Sequence, residues 1–170
     1  MKKIYSNLGK VKEFGFEQPL WAVTGPNSRG GYTDFVGLPF TPKSNSHASQ
    51  VQVPMGYLSG ANQVNLNIYG DTGGVPGILL AGPVTVTNLP TYPRWGFAVA
   101  DFTPVALTAG TQYWVVADTP LSGTGSDFFG WWSSVDKTIL MAWDLGVMYG
   151  GWEEINADSL AAGEVLGTIP

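Results

Sequence analysis

Asn62-Gln63-Val64-Asn65-Leu66-Asn67-Ile68-Tyr69 is the stretch whose reading decides the fold class. Val64, Leu66 and Ile68 alternate with Gln63, Asn65 and Asn67, a period of two that belongs to a β-strand with one buried face. The amides on the other face are expected to form a ladder facing water. Just upstream, Val51, Val53, Met55 and Tyr57 alternate with Gln50, Gln52 and Pro54. The link Ser59-Gly60-Ala61 has hairpin length, so these two strands are expected to pair antiparallel.

Working outward, the same rhythm recurs. Further strands are expected over residues 20–24, 33–40, 79–87, 96–102, 112–118, 128–134, 138–144 and 163–168. The 23 Gly and 12 Pro punctuate these segments rather than interrupting helices. About ten short strands, with turn signals every roughly 8–12 residues, predict an all-β, antiparallel β-sandwich of jelly-roll-like type. One helical turn is expected within Glu153 to Ala162, capped by Asp158 or Ser159 and ended by Gly163. No repeat, heptad or linker divides the chain, so residues 1–170 are read as a single domain.

Composition narrows the function. Apolar residues make up 44% and charged residues 12%, so the chain is not one kept disordered by charge. Eight Lys and Arg against 13 Asp and Glu give a net charge of −5, which offers no cationic footprint for nucleic acid or an anionic membrane. The longest apolar runs are far too short to span a bilayer as a helix. Without Cys there is no disulfide framework or thiol nucleophile, and a single His47 excludes a site that needs two histidines. Met1-Lys2-Lys3 carries the charge of a leader's first residues, but polar Ser6, Asn7, Lys10 and Lys12 follow. No export signal is expected within this chain.

Several stretches look alike in one further respect. Gly56-Tyr57-Leu58-Ser59-Gly60-Ala61-Asn62-Gln63-Val64 runs into Leu66-Asn67-Ile68-Tyr69-Gly70-Asp71-Thr72-Gly73-Gly74-Val75-Pro76-Gly77. Leu107 to Val116 follows, and Ile4 to Gly9 with Pro39 to Pro42 precede it. Together they resemble the bacterial choice-of-anchor domains of the PEP-CTERM-associated type, over most of the chain in order. The resemblance implies a secreted, cell-surface or exopolysaccharide-associated β-sandwich without established catalytic residues.

Candidate sites are few. The Gly70 to Gly77 segment lacks the lysine and following helix of a phosphate loop, so it reads as a tight turn in which Asp71 bonds its own backbone, the glycines take positive φ and Val75-Pro76-Gly77 reverses the chain. As a metal ligand, Asp71 would supply one carboxylate to a structural calcium, and Asp118 or Asp127 would have to converge on it. No other cofactor is expected. Glu153-Glu154 reads as a solvated loop rather than a glycosidase pair, because strand neighbours point to opposite faces. His47 with Ser44, Ser46 or Ser49 lacks a nucleophile elbow, so the chain is not expected to be an enzyme. The tryptophans are more informative. Alternation forbids hiding both Trp131 and Trp132 on one face of a strand, and Trp143 and Trp152 lie in the same half. These four are the expected ligand-binding residues, with glycan or polysaccharide as the partner. Self-association into a structural or surface-decorating assembly is the alternative, through apolar edges or a strand from Lys3 to Leu8 added to a neighbour's sheet. Lys2, Lys3, Lys10 and Lys12 guard that edge against it. A hydrolase of unrecognised type is the second alternative.

Overall fold

The computed structural model describes residues 1–8, 22–24, 35–119, 127–130, 132–133, 140–144, 151–156 and 160–170, with side chains described over 1–8, 35–119, 151–152 and 162–170. Fourteen strands occupy these segments: β1 (Lys2–Ser6), β2 (Ala22–Thr24), β3 (Phe35–Phe40), β4 (Ser46–Ser59), β5 (Gln63–Thr72), β6 (Val75–Thr87), β7 (Gly96–Leu107), β8 (Tyr113–Asp118), β9 (Asp127–Gly130), β10 (Trp132–Ser133), β11 (Leu140–Asp144), β12 (Trp152–Asn156), β13 (Leu160–Ala161) and β14 (Glu164–Thr168). Eight of them make the sandwich: β1-β14-β4-β7 form one antiparallel sheet and β3-β8-β5-β6 the other. The remaining segments extend these sheets, apart from β10 and β13, which pair with each other.

The count of about ten short strands is corrected to eight, several of them long: β4, β6 and β7 have 14, 13 and 12 residues. Prolines that look like breaks in the sequence sit where the ladder lacks a neighbour. Pro54 falls between Gln52, the last partner of β14, and Met55, the first partner of β9. Pro39 lies beyond the β11 ladder, which stops at Gly37. Pro76, Pro83 and Pro104 are on β6 and β7, each the last strand of its sheet on that side. A residue without an N–H costs nothing where no carbonyl awaits it.

The expected hairpin between the Val51 and Val64 strands does not form. β4 and β5 lie in different sheets, and residues 60–62 carry the chain from one to the other. A three-residue link has the same length in a hairpin and in a crossing. Here the crossing wins because Asn62 clamps the neighbouring β6–β7 connection: its Nδ2 donates to the Leu89 carbonyl at 2.8 Å and its Oδ1 accepts from Leu89 N at 3.0 Å. The segment expected to hold a helical turn is instead β12 and β13 over its described residues, and Glu153 and Glu154 lie in β12 rather than in a loop.

The core lies between the sheets. Val51, Val53, Met55, Ala98, Ala100 and Val165 come from the first, and Leu38, Phe40, Val64, Leu66, Ile68 and Val115 from the second. No helix among the described residues is long and apolar enough to cross a membrane. Leu66 is fully buried at the centre of β5. Leu66→Ala should therefore cost about 2–5 kcal/mol, through lost transfer energy and a residual cavity, measured as a shift in the urea midpoint.

Candidate functional site

Strand β8 buries both faces, which is why Tyr113 to Ala117 is a continuous apolar run. Tyr113, Val115 and Ala117 enter the main core. Trp114 and Val116 point to the outer face of the second sheet, where Tyr69, Val75 and half-buried Trp152 pack against them. Trp114 is entirely buried, so its indole N–H needs an acceptor. That acceptor is Asp71 Oδ1, at 2.8 Å, which also takes Gln112 Nε2 at 2.8 Å. Asp71 Oδ2 accepts the Gly74 amide at 3.2 Å, closing a turn in which Gly73 and Gly74 adopt φ of 66° and 90°, so the chain reverses there and Val75-Pro76-Gly77, expected to reverse it, already runs in β6 opposite Thr72 and Asp71. Desolvation by itself would raise the Asp71 carboxyl, but the bonds from Trp114, Gln112 and Gly74 outweigh it and hold the group below its ordinary value.

At the other end of the β5–β8 ladder lies a second polar cluster. Asn65 and Asn67, expected to face water, are buried instead. Their Nδ2 atoms donate to Asp118 Oδ1 at 2.8 Å and Oδ2 at 2.9 Å, and Thr85 Oγ1 donates to Asn65 Oδ1 at 2.7 Å. Amides on this face are therefore consumed in holding a carboxylate that a strand end carries into the sheet. Burial pushes the Asp118 carboxyl above its ordinary value, with the two amide bonds pulling the other way without overcoming it. Burial, and then the Asp118 charge, raise the Tyr69 hydroxyl.

The two acids do not converge. Asn65 is opposite Asp118 and Gly70 opposite Tyr113, so Asp71 lies six residues along β5 from the Asp118 rung, about 20 Å at strand rise. Asp127 begins β9, in the other sheet. Among the described residues no three His, Cys, Asp or Glu side chains group as metal ligands. His47 is an exposed β4 residue opposite Thr168.

The expected tryptophans fall on separate elements. Trp131 lies outside the described residues. Trp132 is in the two-stranded β10–β13 ladder, opposite Ala161. Trp143 pairs with Glu153 and Trp152 with Asp144, so the two occupy successive rungs, which alternate between the faces of a sheet.

A different group of rings is exposed on the described surface. Tyr92 is 52% and Phe97 38% exposed, and Trp95 is half-buried with its ring edge-on to Phe97, centroids 5.5 Å apart. The sequence carried a signal for them, since Trp95 and Phe97 are two apart at the entry to a strand and share a face. No protein family, curated protein or solved structure matches the chain.

Two measurements check this account. Asp71→Ala leaves the buried Trp114 N–H without its acceptor, and should cost about 1–3 kcal/mol in chemical denaturation. For Asp118 the native state holds its proton more tightly than the unfolded chain. Its contribution is thus fully present below the unfolded value of about 3.9 and is lost as pH rises through the raised native value. Relative to wild type, Asp118→Asn should become progressively more stable across that rise; a difference that is flat or of opposite sign would refute it.

Proposed function

We propose that the chain is a non-catalytic module of the extracellular or cell-surface kind, a jelly-roll-like sandwich that binds glycan or matrix polysaccharide. One observation carries the reading: aromatic rings stand at the surface next to amides and carboxylates that are already hydrogen-bonded into fixed rows, as Phe97 does beside the row of half-buried Gln52, buried Gln50 and exposed Asp101. Sugars offer apolar C–H faces to rings and hydroxyl rims to amides and carboxylates, so that combination suits them. The resemblance to choice-of-anchor domains supports the same location. We propose no cation at Asp71, since three N–H donors already point at its oxygens.

A second reading, self-association, is favoured by β6. This edge strand has no charged residue, and Ile78, Leu79 and Leu80 are 76%, 42% and 38% exposed. The edge of the other sheet, β1, carries two of the four expected guarding lysines: Lys3 pairs with Glu164 at 3.3 Å and Lys2 Nζ donates to the Ile169 carbonyl, while Lys10 and Lys12 lie outside the described residues.

Retention of the full chain on a panel of immobilised polysaccharides is the test of the binding reading, and soluble ligand should raise the melting temperature by mass action. Failure to bind any member, together with a polymer mass in light scattering, would put self-association in its place.

A further inference from the structure

We propose that the outward side of strand β7 and the Gln52 rung of β4 form the glycan-binding surface, with Trp95 and Phe97 as the stacking rings, Gln52 and Asp101 as the hydroxyl-binding groups and buried Gln50 as the residue that positions them, and that its ligand is a neutral polysaccharide chain. The proposal rests on the glycan reading above and assigns it a place.

Cross-strand register builds the surface. Pro54 is opposite Phe97, Gln52 opposite Val99 and Gln50 opposite Asp101, so these six share one side of the sheet. Their neighbours Val51, Val53, Ala98 and Ala100 point the other way, into the core. Phe97 and Asp101 are four residues apart, about 13 Å along the strand, so the strip is long enough for a chain ligand rather than a single ring. Val99, between them, is 40% exposed.

The polar half is prearranged. Gln52 Nε2 donates to Gln50 Oε1 at 2.8 Å, and Gln50 Nε2 donates to Asp101 Oδ1 at 2.7 Å. This relay fixes both amides and leaves Gln52 Oε1 and Asp101 Oδ2 without a hydrogen-bond partner among the described residues. Acceptors held in place in this way lose little entropy when a hydroxyl arrives.

The aromatic half is equally fixed. The turn that leads into Trp95 is tied to β4 by Tyr57 N to the Pro90 carbonyl at 2.8 Å and Tyr92 N to the Tyr57 carbonyl at 2.9 Å, and closes on itself by Arg94 N to the Thr91 carbonyl at 3.0 Å. Pro90 lies so close behind Gly96 that an added Cβ would meet its Cδ at 3.1 Å, and this contact seats the residue between the two rings.

The surroundings select the occupant. A second protein copy would bury a continuous apolar centre depleted of charge. Here the rungs grade from apolar Pro54–Phe97 through mixed Gln52–Val99 to polar Gln50–Asp101, so the apolar part is confined to one end and exposed Asp101 lies within the strip. The chain's net charge of −5 disfavours a polyanionic polymer. An uncharged polymer with apolar faces and hydroxyl rims fits both conditions.

Affinity electrophoresis of the full chain in gels holding β-glucan, xylan, galactomannan or alginate is the test, run on wild type, Phe97→Ala, Trp95→Phe, Gln52→Ala and Trp152→Ala. Wild type should be retarded by at least one of the three neutral polymers and not by alginate. Phe97→Ala should weaken that binding about tenfold with little change in melting temperature, because Phe97 is a surface ring. Gln52→Ala and Trp95→Phe should weaken it too, the latter by less because a smaller ring remains, while Trp152→Ala retains it. If wild type binds but only Trp152→Ala loses binding, the glycan reading stands and this surface is the wrong one. Retardation by none of the neutral polymers overturns both. A mass in light scattering that falls from dimer to monomer on Phe97→Ala would make a second copy the occupant and overturn the proposal.

Discussion

The two-point bond between the Asn62 side chain and the backbone of Leu89 is the constraint on which the arrangement of the sheets depends. It holds side by side two of the places where the chain changes sheet, after β4 and after β6. Asn88, at φ 60°, takes the left-handed turn that starts the second crossing, a conformation asparagine tolerates better than most residues. With both crossings fixed, β4 and β5 must face each other across the core instead of lying edge to edge. Their apolar residues, Val51, Val53, Leu66 and Ile68, then meet in one cluster.

That geometry leaves each sheet an outer face, and the two are used differently. On the second sheet, Trp114 and Val116 build a small additional core, sealed by Trp152 and anchored by the Asp71 carboxylate. Its amides are spent on Asp118. On the first sheet, the amide row ends at Asp101 in solvent and the rings beside it remain exposed. The same ingredients thus close a small core on one side, while on the other Asp101 and Phe97 stay exposed and Gln50 is buried behind half-buried Gln52.

Much of this was legible in the sequence. The alternation at Val64, Leu66 and Ile68 located a strand and its buried face correctly, and the turn at Asp71 formed with the bond expected of it. What alternation cannot supply is what covers the second face. Asn65 and Asn67 read as solvent-facing because nothing local to them announces that Asp118 is delivered from β8 as their partner. The hairpin reading of Ser59 to Ala61 failed for a related reason: loop length fixes how far a chain travels, and the side chain of Asn62 fixes where it goes. Pro39 and Pro54 likewise mark gaps in a ladder that only the assembled sheet defines. Among the rings, the sequence drew attention to the adjacent Trp131 and Trp132, whereas Trp95 and Phe97 signal a shared face more directly because they are two apart.

Strand β14 sits between β1 and β4, hydrogen-bonded to both. During synthesis these two neighbours emerge early and must wait for residues near the far end of the sequence before either gains its partner on that side. Until then β4 offers an unpaired flank to any other extended chain, and the closure that ends this exposure is of the long-range kind that makes β-rich domains fold slowly. The lysines of β1 thus have a second use, since Lys2 and Lys3 keep charge on the nascent edge through the interval in which it is most open to the wrong strand.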